Sequence, residues 1–152
     1  MNSRARWSIV LVIGALVAQS LGCDAPDRAG EQASSLKPLA ILYGRFLAQH
    51  RGQPPANEAE FRTFVEKESP SLLEQFQVKD IASLFVSSRD QQPYTILYGQ
   101  LTGPPGPGGQ PVFAFEQTGA GGKRFVATGL GAVEEVNEER FKLLVPTAPA
   151  SP

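Results

Sequence analysis

Two glycine-rich stretches, a single histidine, a single cysteine and a run of glutamates are the residues whose types could do chemistry in this chain. Gly119-Ala120-Gly121-Gly122-Lys123-Arg124 has the composition of a loop that cradles phosphate. Such a loop needs a glycine six residues before its lysine and a Ser or Thr after it, and it must open a helix whose free N–H groups face the anion. Gln117 and Arg124 occupy those positions, and the residues that follow read as a strand, so the stretch is expected to be a hairpin turn. Gly129-Leu130-Gly131 lacks the third glycine of a dinucleotide fingerprint and also precedes a strand. His50 falls at the end of a helix, where its charged form suits the dipole; a general base needs a partner, and the sequence places no second His, Cys or Asp beside it. Glu134, Glu135, Glu138 and Glu139 could gather a divalent cation, but the first two alternate faces of a strand and the others open a helix, which favours a solvated face. With one His and one Cys, no zinc site of the Cys/His type can be built. No cofactor is expected. The aromatic residues Tyr43, Phe46, Phe61, Phe64, Tyr94, Tyr98, Phe113, Phe115 and Phe125 could form a sugar- or peptide-binding strip. Most lie at core spacing, and Tyr94, Phe113 and Phe115 are the candidates for a binding surface.

The elements that must position these groups follow from periodicity. Leu36, Leu39, Ala40, Tyr43, Phe46, Leu47 and His50 repeat at helical spacing. Ser35 supplies an N-cap, Pro38 sits in the tolerant first turn, and Gly52 with Pro54-Pro55 stops the run, which predicts a helix over 36–50. Asn57-Glu58-Ala59-Glu60 is a capping-box start for a second helix over about 58–68. Ser69-Pro70 opens a further helical turn with Leu72, Leu73 and Phe76 inward. Val78, Ile81, Leu84, Phe85 and Val86 carry the core into a first extended segment. Tyr94, Ile96 and Tyr98 alternate as a strand, and 112–116 and 124–128 are two more, joined by the hairpin loop 118–122. Ala132–Val136 is a fourth strand, and Asn137 caps a short helix over 138–144. Gly103-Pro104-Pro105-Gly106-Pro107-Gly108-Gly109 lengthens one strand connection. Helices followed by strands indicate an α+β fold, with N-terminal amphipathic helices on a small C-terminal antiparallel sheet. The expected divisions are a leader over 1–22, a flexible tether over 23–34, a single domain over 35–145 and a proline-rich tail over 146–152.

The chain has 152 residues, a formal charge of −1, and 41% hydrophobic, 9% aromatic and 19% charged residues. One domain of ordinary size fits. The balance of charge excludes a strongly basic nucleic-acid binder. Arg4 and Arg6 precede an uncharged apolar run from Trp7, which ends in Ser20-Leu21-Gly22-Cys23; this is the layout of an export signal. The run falls short of the roughly 20 apolar residues that span a bilayer. Ser20-Leu21-Gly22-Cys23 resembles the lipobox of bacterial lipoproteins, with the small residue Gly22 before the Cys and Ser20 where the family prefers Leu. The resemblance implies cleavage after Gly22, a diacylglycerol on the Cys23 thiol and acylation of its amine. Two or three acyl chains hold a protein at a membrane where one does not. Loss of residues 1–22 removes two arginines and no acidic residue, which takes the formal charge from −1 to −3 and leaves no polybasic stretch.

A second resemblance rests on Gln53-Pro54-Pro55 and on Ser87-Ser88-Arg89-Asp90-Gln91-Gln92-Pro93-Tyr94. Asp90, Pro93 and Tyr94 are similar in type and order to a motif of type II secretion pseudopilin globular domains, over roughly 36–130. Those proteins begin with a long apolar helix carrying an early Glu; here a lipobox-like Cys stands instead, and no acidic calcium loop follows Phe115. The resemblance therefore implies a shared helix-on-sheet architecture rather than pilus assembly. The expected function is a non-catalytic binding or structural module of the cell envelope, outside the cytoplasm, held to the lipid bilayer by acylated Cys23 and meeting an envelope protein or polymer. The alternatives are a pseudopilin-like secretion component and a small envelope enzyme built on His50. Nucleic acid is not an expected partner.

Overall fold

The computed structural model describes residues 35–68 and 70–145. The expected leader, Gly22, Cys23, the tether and the tail after 145 lie outside the described residues. Helix α1 spans Leu36–Gln49, α2 Glu58–Glu68 and α3 Pro70–Gln75. A 3-10 helix follows at Ile81–Phe85. Strands β1 (Thr95–Ile96), β2 (Val112–Phe115), β3 (Lys123–Thr128) and β4 (Val133–Asn137) come next, and helix α4 (Glu138–Leu144) closes the domain. The sheet is an antiparallel meander in the order β1-β2-β3-β4. The fold is α+β, as expected.

Both faces of the sheet are covered. α1 crosses β2, β3 and β4 on one face, and α4 packs on the other. Leu36, Leu39, Ala40, Leu42, Tyr43 and Phe46 form the buried stripe of α1. They meet Phe61 and Val65 of α2, Leu84 and Phe85 of the 3-10 helix, and Phe113, Phe125 and Ala127 of the sheet. The Tyr43 ring stacks on Phe113 at 3.9 Å and meets Phe61 edge-on at 5.4 Å. On the far face, Phe115, Val126 and Val136 pack against Phe141 and Leu144 of α4. Each fully buried side chain of this size contributes about 2 kcal/mol. The register slips between Val112 and Ala114, and this bulge turns both Phe113 and Ala114 toward α1.

Local signals explain most boundaries. Asn57 Oδ1 accepts from Glu60 N at 3.0 Å, while the Glu60 carboxylate reaches back to Ala56 N at 2.7 Å. This is a capping box whose return bond lands one residue early. Asn137 caps α4 by accepting from Arg140 N at 2.9 Å. Two expectations are corrected. Ser35 does not cap α1, because its backbone is already helical and its hydroxyl is engaged by Tyr94 and Ser88. The segment with Val78, Ile81, Leu84, Phe85 and Val86, expected to lead into an extended stretch, instead forms the 3-10 helix Ile81–Phe85, because Asp80 captures Ala82 N at 3.0 Å and winds the backbone; Val86 keeps only a single bridge to Pro93. The inserted 103–109 loop folds back over β3, where Thr128, fully buried, donates its hydroxyl to Pro107 O at 2.9 Å.

Candidate functional site

The richest polar cluster forms where the loop 87–94 meets the turn between β2 and β3. Glu116 follows β2 directly and is 1% exposed. Its carboxylate accepts from the Ser87 hydroxyl at 2.6 Å and from Phe125 N at 2.8 Å, and the Arg89 guanidinium lies 3.8 Å away. Arg89 also pairs with Glu135 at 2.6 Å and donates to the carbonyls of Ala120 and Lys123. Its guanidinium lies 4.4 Å above the Phe125 ring. Asp90 performs the matching task from the next position. Oδ2 accepts from Thr118 N, the Thr118 hydroxyl and Gly119 N, and Oδ1 accepts from Gln92 N. Burial pushes its pKa upward, but the hydrogen bonds from Gln92, Gly119 and Thr118 outweigh it and leave the carboxyl below its usual value. Tyr94 extends the cluster. Its hydroxyl meets Ser35 Oγ, and burial pushes its pKa to about 12 despite the Ser35 hydrogen bond.

A Ser beside a carboxylate, with an Arg adjacent, has the ingredients of chemistry. The geometry assigns them elsewhere. Ser87 Oγ donates to Glu116 and accepts from Arg89 N at 3.1 Å, and both oxygens of Glu116 carry donors inside the fold. These groups are spent on one another and on backbone. Together they rivet the 87–94 loop to the β2–β3 turn. Gly119 belongs to the rivet: its φ is +68° and a Cβ there would lie 2.1 Å from Lys123 O, so only glycine fits. The glycine-rich stretch is thus a hairpin turn, as its spacing indicates.

The other sequence candidates disperse. His50 ends α1, where Nδ1 lies 2.8 Å from Phe46 O and the ring stacks on Phe46 at 3.9 Å. Glu135 pairs with Arg89 and Lys123, and Glu138 with Arg124 and Lys142. Among the described residues no group of three or more His, Cys, Asp or Glu could hold a metal, and no helix is long and apolar enough to cross a membrane. Tyr94, Phe113 and Phe115 are 6%, 0% and 3% exposed, so they do not form an open binding surface. The physical reason is the second layer: α4 covers Phe115 while α1 covers Phe113, and Ser35 closes over Tyr94.

The open surface lies at the other hairpin. The β3–β4 turn, Gly129-Leu130-Gly131, sits against α1 at very close range. A Cβ on Gly44 would lie 2.7 Å from Gly129 O, and one on Gly129 would lie 2.8 Å from Leu47 Cδ1. Lys37 Nζ donates to Gly131 O at 2.7 Å and fixes the turn. A concavity of about 810 Å³ opens beside it, edged by Ile41, Arg45, Ala48, Arg51 and Leu130. A second, of about 630 Å³, adjoins it across Leu47, Gly52 and Gln110 and carries Gln53, Gln100 and Pro54. Sequence reading missed this surface because Leu130 looks like an ordinary turn residue until α1 is placed next to it.

No family model, curated protein or solved structure matches the chain.

Proposed function

We propose that the chain is a membrane-anchored lipoprotein of the cell envelope whose domain acts as a non-catalytic binding or structural module. The observation that carries the non-catalytic part is the closure of the polar cluster. Ser87, Asp90 and Glu116, the groups best equipped to react, are saturated by internal partners. Anchoring is supported by Ser20-Leu21-Gly22-Cys23 behind an uncharged apolar run. The test is mass spectrometry of the amino-terminal peptide recovered from membranes. The expected result is a chain that begins at Cys23 and carries acyl groups, with Cys23→Ser released from the membrane fraction. Residues 1–22 intact, or an unmodified Cys23 thiol, would overturn the reading.

One observation favours a second reading. α1 lies across the antiparallel meander, and the Asp90–Tyr94 loop is pinned at its edge. That arrangement suits a pseudopilin-like component attached to a secretion system. Co-purification with secretion proteins tests it, and recovery without them removes it.

A further inference from the structure

Among the described residues two large apolar side chains stand out in solvent, Leu130 at 68% and Leu143 at 66% exposed, and their surroundings differ. Leu143 sits on α4 among Glu138, Glu139 and Lys142. Leu130 tips the turn beside α1, in a concavity whose charged residues are Arg45 and Arg51 alone. Both arginines are exposed, and no carboxylate among the described residues pairs with either. From Ser35 to Asn57 the chain holds Lys37, Arg45 and Arg51 and no acidic residue; the domain's carboxylates lie further along, on α2, α3, the loops, β4 and α4. Folding therefore gathers a cationic, apolar-tipped face on a chain whose net charge is negative.

We propose that this face docks on the anionic headgroup surface of the bilayer that holds the chain, with Leu130 entering the interface and Arg45 and Arg51 paired with lipid phosphates. The inference rests on the anchored reading above. Charge complementarity selects the occupant: an exposed Leu flanked by arginines free of carboxylates matches a surface that is anionic outside and apolar within. Position makes docking attainable. The tether from Cys23 joins α1 at Ser35, and the Lys37–Ile41 side of α1 already touches the 129–131 turn. The residues between Cys23 and Ser35 can span at most roughly 40 Å, which keeps the bilayer within reach of α1. Weak contacts then suffice, because the tether converts docking into an intramolecular event. The tether itself carries Asp24, Asp27 and Glu31 against Arg28, so α1 supplies the positive charge that it does not.

The single-cysteine sequence supplies the test. Full-length Leu130→Cys and, as control, Leu143→Cys are reconstituted in vesicles and labelled with a polarity-sensitive fluorophore on the thiol. One label per chain means that Cys23 is blocked; two labels mean that the anchored reading fails, whatever the fluorophore reports. With Cys23 blocked, the expected result is a blue-shifted probe at position 130 in phosphatidylcholine vesicles that contain phosphatidylglycerol, and an unshifted probe at 143. High salt should reverse the shift, and Arg45→Gln or Arg51→Gln should each weaken docking about fivefold. An unshifted probe at 130 overturns the proposal. A shift that persists in phosphatidylcholine alone or in detergent also overturns it, and assigns the face to the acidic tether or, if it fades on dilution, to a second copy.

Discussion

Two hairpin turns of one meander use glycine and basic residues in opposite ways. At the β2–β3 turn, Gly119 receives the Asp90 carboxylate, Arg89 holds the carbonyls of Ala120 and Lys123, and Lys123 pairs with Glu135. Its polar groups are turned inward. At the β3–β4 turn, Gly129 lets α1 approach, Lys37 secures Gly131, and Leu130 with Arg45 and Arg51 is left facing outward. A glycine-rich turn with nearby cations carries no functional meaning by itself. What decides is whether its polar groups find partners within the fold.

The contrast can be broken most forcefully at Gly119. Gly119→Ala puts a Cβ against Lys123 O at a positive φ, and the expected loss is about 3 kcal/mol, read from the denaturation midpoint. A stable Gly119→Ala protein would mean that the turn is not riveted. Gly44→Ala comes next. Its methyl would strike Gly129 O, and lifting α1 from the turn should cost about 2 kcal/mol in the same measurement. Asp90→Asn should cost about 1 kcal/mol through weaker acceptance of three backbone N–H groups and one hydroxyl. The sign of its pH dependence is fixed. The folded carboxyl titrates below its ordinary value of 3.8, so its contribution is complete above that value and is lost as pH falls through the folded one. Acid unfolding of Asp90→Asn should therefore show a flatter limb than the parent. Smallest of all is Leu130→Ser, expected to change stability by less than about 0.5 kcal/mol, because the side chain packs on nothing it needs. A large loss there would show that the outward hairpin is part of the core.

The sequence's three tyrosines give an independent reading of closure. Burial raises the pKa of Tyr43, and raises Tyr94 and Tyr98 to about 12. The neutral phenols are fully stabilising below their ordinary value of 10.0, and that contribution is lost as pH climbs through the folded values. Tyrosinate absorbance should appear together with unfolding. Early, non-cooperative ionisation would show that the core admits solvent.

Sequence legibility varies along the chain for physical reasons. α1, α2 and α4 were readable because helical spacing and the caps Asn57 and Asn137 are local signals. The 3-10 helix was not, since five residues with apolar ends fit either an extended segment or a tight turn, and one bond from Asp80 decides. The burial of Tyr94, Phe113 and Phe115 was hidden because strand alternation shows that a sheet has two faces, not that both are covered. Glu116 was hidden for a related reason. A carboxylate at a strand end looks like surface until Ser87 and Phe125 are brought to it from other segments.

Ser35 has a mechanical consequence. A pull on the chain from its amino-terminal side enters the domain there, and the Ser35 hydroxyl is tied to Tyr94 and to Ser88 N. Tension would pass sideways into the loop that carries Arg89 and Asp90, before α1 could peel from the sheet. A domain loaded at that point resists shear at its best-knotted corner.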